Sequence, residues 1–262
     1  MKRALVLLTI SAIASAAGAQ DTSDDWDVVR DPAKKSVLAF TSFDNGLSVA
    51  FRCIDGSFNA LISGLPPSQE GRRMLELRFR DAETRPTMWT SATNASTVIG
   101  DLPAPLAREF RQGGPLRLTV PNGAADGRNL RYVVDLPASG VAVDEALSAC
   151  GRPLVDPRDM DLEAIGATGL TGGLTWRRMP EPEFPHSGGS NYTQGFAVLT
   201  CISTARGGVR DCVVEMEHPH DGGFGRAAAR AVRRARLVNT TDPGQPVPVR
   251  RFSFLTNFRM IE

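Results

Sequence analysis

The chain has 262 residues, with 30 Lys and Arg against 29 Asp and Glu, and this balance argues against nucleic acid or an acidic membrane as the main partner. Its length suits two domains of ordinary size. Three histidines, and four cysteines with no C-x-x-C among them, leave little for a Cys/His zinc site or thioredoxin-type redox chemistry, so no cofactor and no metal are expected.

Lys2-Arg3, an apolar stretch from Ala4 to Ala14 and the small residues Ala17-Gly18-Ala19 have the order of a signal peptide cut near Ala19. The alternative is a retained anchor, but the apolar run is shorter than the roughly 20 residues that span a bilayer. Removing Lys2 and Arg3 leaves 28 basic residues against 29 acidic ones, in a mature chain that starts at Gln20. A periplasmic protein with no stable membrane span is expected. In an exported chain, the even set Cys53, Cys150, Cys201 and Cys212 reads as two disulfides.

Residues 20–152 read as an antiparallel β domain closed by a helix. Leu47 to Phe51 and Phe58 to Ile62 alternate with period two around the turn signals Asn45-Gly46 and Asp55-Gly56. Further strands are predicted at Met74 to Phe79, Leu116 to Val120 and Leu130 to Leu136. A short helix from Pro103 to Gln112 places Leu106 and Phe110 on one face. A second helix, capped at Ser139, carries Val143, Ala146, Leu147 and Cys150 at helical spacing until Gly151 and Pro153 stop it. A Cys53–Cys150 bond would then staple this helix to an early strand.

Residues 153–180 are rich in Pro, Gly and Asp and keep no period, which reads as a linker. In residues 181–262, Phe196 to Ile202 and Val209 to Met216 form a hairpin. With the turn centred on Arg206-Gly207, Cys201 faces Cys212, and Leu199, Val214 and Met216 share their face. A helix follows from Arg226 to Leu237 with an alanine surface, then a last strand from Val247 to Met260 with Phe252, Phe254 and Phe258 on one side. The fold class expected is α+β.

The order of motifs in this last stretch resembles the C-terminal domain of the TonB family. Phe184-Pro185 stands where the family has Tyr-Pro, Gly195 to Cys201 matches its first strand, and Gly207 to Val214 its turn and second strand. Glu217-x-Pro219, Gly223-Phe224-Gly225 and Ala227-Ala228 match a variant among alphaproteobacterial members, and Arg236 stands at the helix-ending Arg. The resemblance implies an α+β module that recognises short outer-membrane receptor segments by strand addition at a sheet edge. Asn239 replaces the family's Pro, the residues after Phe184-Pro185 are Gly/Ser-rich, and neither a membrane helix nor a long Pro-rich spacer is read, so energy transduction is not the expected role. Trp26, the Gly-rich meander and Ala146-Leu147-x-x-Cys150 are similar to an envelope domain of exported alphaproteobacterial proteins, a likeness that implies organisation alone.

The function expected is non-enzymatic binding in the periplasm, of an outer-membrane receptor segment or peptidoglycan, associated with transmembrane transport. The alternatives are an envelope hydrolase and a purely structural envelope protein. Arg250, Arg251, Phe252, Phe254 and Phe258 on the last strand, with Arg230, Arg233 and Arg234 on the helix, are the expected partner-binding residues. The last strand is also the expected edge for a homodimer. Glu215, Glu217, His218, His220 and Asp221 could supply metal ligands, but Pro219 and the glycines after them describe an exposed loop. His186 beside Ser187 lacks the G-x-S-x-G or S-x-x-K context of a hydrolase.

Overall fold

The structure, a computed structural model, describes residues 25–92, 94–185, 192–242 and 244–260. The leader, Gln20 and the His186-Ser187 pair lie outside the described residues. No helix among the described residues is long and apolar enough to cross a membrane.

The N-terminal part is a nine-stranded, wholly antiparallel sheet. Its strands are β1 (Asp27–Asp31), β2 (Ser36–Ser42), β3 (Ser48–Ile54), β4 (Ser57–Ser63), β5 (Arg72–Phe79), β6 (Arg85–Ser91), β7 (Val98–Gly100), β8 (Gly114–Val120) and β9 (Leu130–Leu136). Their order is β1-β2-β3-β4-β7-β6-β5-β8-β9, so β7 and β6 come between β4 and β5. The β3–β4 turn needs left-handed backbone at both central residues, and Asp55 (φ 45°) and Gly56 (φ 81°) adopt it.

Alternation sends Val49, Phe51 and Cys53, then Leu75, Leu77 and Phe79, then Leu116, Leu118 and Val120 into one core. Two helices, α1 (Pro103–Phe110) and α2 (Val141–Ala149), close it. Phe110 packs edge-on to Phe51 and tilted against Phe79, at 6.1 and 5.5 Å between ring centroids. Cys150 at the end of α2 is bonded to Cys53 on β3, closing a loop of 97 residues.

The C-terminal part holds β10 (Leu174–Arg178), β11 (Gln194–Ser203), β12 (Val209–His218), α3 (Phe224–Ala231), β13 (Arg236–Asn239) and β14 (Arg251–Arg259). Strands β12-β11-β14 form one antiparallel sheet, and β10 pairs with β13 in a second. One face of the larger sheet carries Ala197, Leu199, Cys201, Phe252, Phe254 and Phe258 against α3 and Trp176. The other face presents Phe196, Val198, Met216 and Leu255 to Leu61 and Ile99 of the N-terminal sheet and to Leu102 at the start of α1. The two parts therefore share a third apolar core.

Three expectations need correction. The hairpin turn pairs Ser203 with Val209, one step from the expected register, and the extra residue Asp211 (φ 50°) brings it back before Cys212, which is bonded to Cys201. A second register shift leaves Glu215 as the extra residue and turns Met216 to the face opposite Leu199. Helix α3 ends at Ala231, because Leu237 is taken into β13 beside Trp176 and its N–H donates to the Gly207 carbonyl.

The third correction concerns residues 153–180. They carry β10, bury Ile165, Leu170 and Thr171, and supply half of a charged network. In that network Arg108 binds Asp159, Arg158 binds Asp156 and Glu215, and Arg152 donates to the Val214 and Glu215 carbonyls. Glu215, 1% exposed, is the bulged residue of β12, so the bulge aims its carboxylate at the junction.

Candidate recognition surface

The residues named from the sequence on the expected last strand divide into two sets. Phe252, Phe254 and Phe258 are 1, 1 and 5% exposed and form the core under α3, which corrects their reading as contact residues. Arg250 and Arg251 reach outward but are engaged by the chain itself. Arg250 binds Glu163 at 2.5 Å and the Gly172 carbonyl, and Arg251 lies 3.7 Å from Asp161. These contacts bring residues 161–172 alongside the strand.

Backbone pairing continues along that segment. The Thr171 N–H donates to the Ser253 carbonyl at 3.0 Å, and the Leu255 N–H to the Gly169 carbonyl at 2.8 Å. The Ser253 N–H donates to Thr171 Oγ1 at 2.9 Å. Over Ser253–Leu255 the chain's own residues hold the position expected for a peptide or a second copy. No sequence period marked residues 161–172, because their order comes from pairing with a strand some 80 positions away.

Helix α3, continued by the 3-10 turn Val232–Arg234, presents the helical residues named from the sequence. Ala227, Ala228 and Val232 are buried, while Arg226, Arg230, Arg233 and Arg234 are exposed. Its first turn has no capping side chain of its own, since the N-cap is Gly223 at φ 70°. Glu217 on β12 supplies the acceptor: the Gly225 N–H donates to Glu217 Oε2 at 2.6 Å. Burial pushes this carboxyl up, opposed by the N–H groups of Gly225 and Gly223 and by Arg226. Gly225 allows the approach, since a Cβ there would stand 2.5 Å from Val214 Cγ1.

Among the described residues, Arg226, Arg230, Arg233 and Arg234 form no ion pair. Arg230 and Arg234 line a cleft of about 310 Å³ whose opposite wall holds Arg178, Glu181 and Glu183. That wall was missed in the sequence because Arg178 ends β10, a strand in the stretch read as linker, and Glu181 and Glu183 follow it before the first motif recognised in residues 181–262. Free guanidiniums at this density suit a ligand bearing carboxylates, which accept paired N–H bonds.

A larger cavity, about 400 Å³, lies between β5, β6, α1 and residues 159–165. Leu77, Trp89, Leu102, Leu106 and Ile165 form apolar wall. Of its charged groups, Arg85 is paired with Glu109 and Arg108 with Asp159, while Asp101 is paired with Arg72 outside the lining. Thr87 donates to the Leu75 carbonyl and accepts from the Trp89 indole.

The residues considered for a metal are dispersed. Glu215 enters the junction network and Glu217 caps α3. His218 packs on Phe196, and Asp221 accepts from the Tyr192 hydroxyl. Burial pushes the His218 imidazole down, reinforced by Arg52 and His220. Among the described residues no group of three or more His, Cys, Asp or Glu is placed to hold a metal ion.

Comparison with known proteins adds little to this geometry. No protein-family model matches the chain, and no curated protein matches it. The crystal structure of invasion associated protein B from Bartonella henselae aligns with 49% of this chain and 95% of that one, at 14% identity and a TM-score of 0.36. The two disulfides support an exported protein.

Proposed function

We propose that this chain is a non-enzymatic binding protein of the bacterial periplasm. Its C-terminal unit, similar to the TonB C-terminal domain, would recognise a carboxylate-bearing partner in a role tied to outer-membrane transport. The observation that carries this reading is the set of four exposed guanidiniums on α3 and the 3-10 turn after it, Arg226, Arg230, Arg233 and Arg234, which form no ion pair among the described residues and of which Arg230 and Arg234 line an open cleft.

The partner is either an acidic receptor segment or peptidoglycan, and one experiment separates them. The full chain and its R230E/R233E/R234E variant are sedimented with purified peptidoglycan and, separately, titrated with acidic peptides from outer-membrane receptors. At least a tenfold loss of binding in the variant, with a strong salt dependence in the parent, is expected for the true partner. Equal binding by parent and variant to both probes, or to neither, overturns the reading.

A further inference from the structure

Strand β9 is the last strand of the nine-stranded sheet, and among the described residues the side away from β8 carries no neighbouring strand. Its hydrogen-bonding phase follows from β8. The Arg80 N–H donates to the Pro115 carbonyl, so the odd-numbered residues of β8 direct their backbone groups to β5 and the even-numbered ones to β9. With Leu116 opposite Val134 and Leu118 opposite Tyr132, the even-numbered residues of β9 are consumed by β8. The N–H and C=O groups of Arg131, Val133 and Asp135 therefore point to the open side. Among the described residues they have no backbone or side-chain partner.

The side chains of the same three residues stand on the sheet face away from the core. Val133 is 64% exposed, Arg131 and Asp135 are exposed, and neither of the latter forms an ion pair among the described residues. Edge strands are commonly blunted by charge of one sign, by Pro or by a bulge. Here the strand is regular over seven residues, and its two charges are opposite and equidistant from Val133.

We propose that β9 is a homodimer edge, at which two copies of this chain pair antiparallel about a two-fold axis through Val133. Val133 then faces Val133 of the second copy, and each Arg131 faces an Asp135. All three facing pairs belong to the odd-numbered set whose backbone groups are free, so they form the hydrogen-bonded kind of pair, and the two sheets continue as one. The contact is isologous and closes on itself. Self-pairing of β1, the other end of the sheet, centred on Val29, would instead set Asp27 against Asp31. The covered stretch of β14 is likewise occupied.

The test uses the full chain in sedimentation-velocity runs over a range of concentrations, with circular dichroism confirming that each variant is folded. The parent is expected to form a dimer. R131D sets like charges opposite each other and shifts the dimer constant at least tenfold towards monomer, and R131D/D135R restores it. As an independent reading, V133C should give a disulfide-linked dimer on mild oxidation, because hydrogen-bonded pairs stand about 5.5 Å apart at Cα, within disulfide range. A parent that stays monomeric, or a dimer unaffected by R131D that yields no V133C cross-link, overturns the proposal.

Discussion

Glu215 and Glu217 stand two positions apart on β12 and serve different layers. The bulge sends the Glu215 carboxylate into the junction network, whereas Glu217 reaches the open first turn of α3. Replacing Glu217 by Ala leaves the buried Gly225 N–H without its acceptor, so a loss of about 1–2 kcal/mol is expected in urea denaturation. E217Q, which keeps an acceptor oxygen, should lose less. The next residue, His218, gives a pH signature. Its folded-state pKa is depressed, chiefly by burial, so below the ordinary imidazole value of about 6.5 the unfolded chain binds the proton more readily. Its contribution is present in full above that value and declines as pH falls towards the folded pKa. Melting temperatures of the parent should therefore drop between pH 7 and 5 more steeply than those of H218Q; parallel curves would exclude His218 as the source.

At the scale of elements, the two disulfides do unequal work. Cys53–Cys150 ties β3 to the end of α2 across 97 residues, whereas Cys201–Cys212 joins neighbouring strands across 11. Loop-closure entropy then assigns about 4 to 5 kcal/mol to the first and about 3 to the second. Denaturation midpoints of C53A/C150A and C201A/C212A should fall in that order, and the reverse order would show that the short bridge acts through the native state. Residues 161–172 are the other element of consequence. They occupy the β14 edge from Ser253 to Leu255, so an extended peptide could pair there only after they had left. T171P, which removes the N–H bonded to Ser253, should raise hydrogen exchange across residues 165–172 while leaving the N-terminal sheet protected.

For the whole molecule, the question is how the N- and C-terminal parts are joined. Ile99, Leu61 and Leu102 on one side and Phe196, Val198 and Met216 on the other form a shared core, and Arg108, Arg152, Arg158, Asp156, Asp159 and Glu215 close its polar margin. Glu215→Ala leaves Arg158 and the half-buried Arg152 facing each other without their shared carboxylate. A loss of about 3–5 kcal/mol is expected, within the range for breaking a buried pair. Because the network spans both parts, unfolding should remain a single transition in the parent and split in this variant. Calorimetry reads the difference directly.

The alternating strands β3, β4, β5, β8 and β9, the helices α1 and α2, and the hairpin of β11 and β12 were legible in the sequence because each is set by local periodicity and turn chemistry. Asp55-Gly56 is such a signal, and the run from Val143 to Cys150 is another. Of the candidate site, the arginines of α3 and of the 3-10 turn after it were legible and their cleft was not. Strands β10 and β13 are short and exist through each other, and β7 is three residues held between β4 and β6. The positions of Phe252, Phe254 and Phe258 show the same division. Sequence placed them on one face of a strand, but only the packing of α3 and Trp176 made that face a core. The exported, disulfide-bearing character and the α+β class came from residue types and their spacing, which are local properties. The filled β14 edge and the charged junction came from contacts between residues far apart in the chain, which no local pattern encodes.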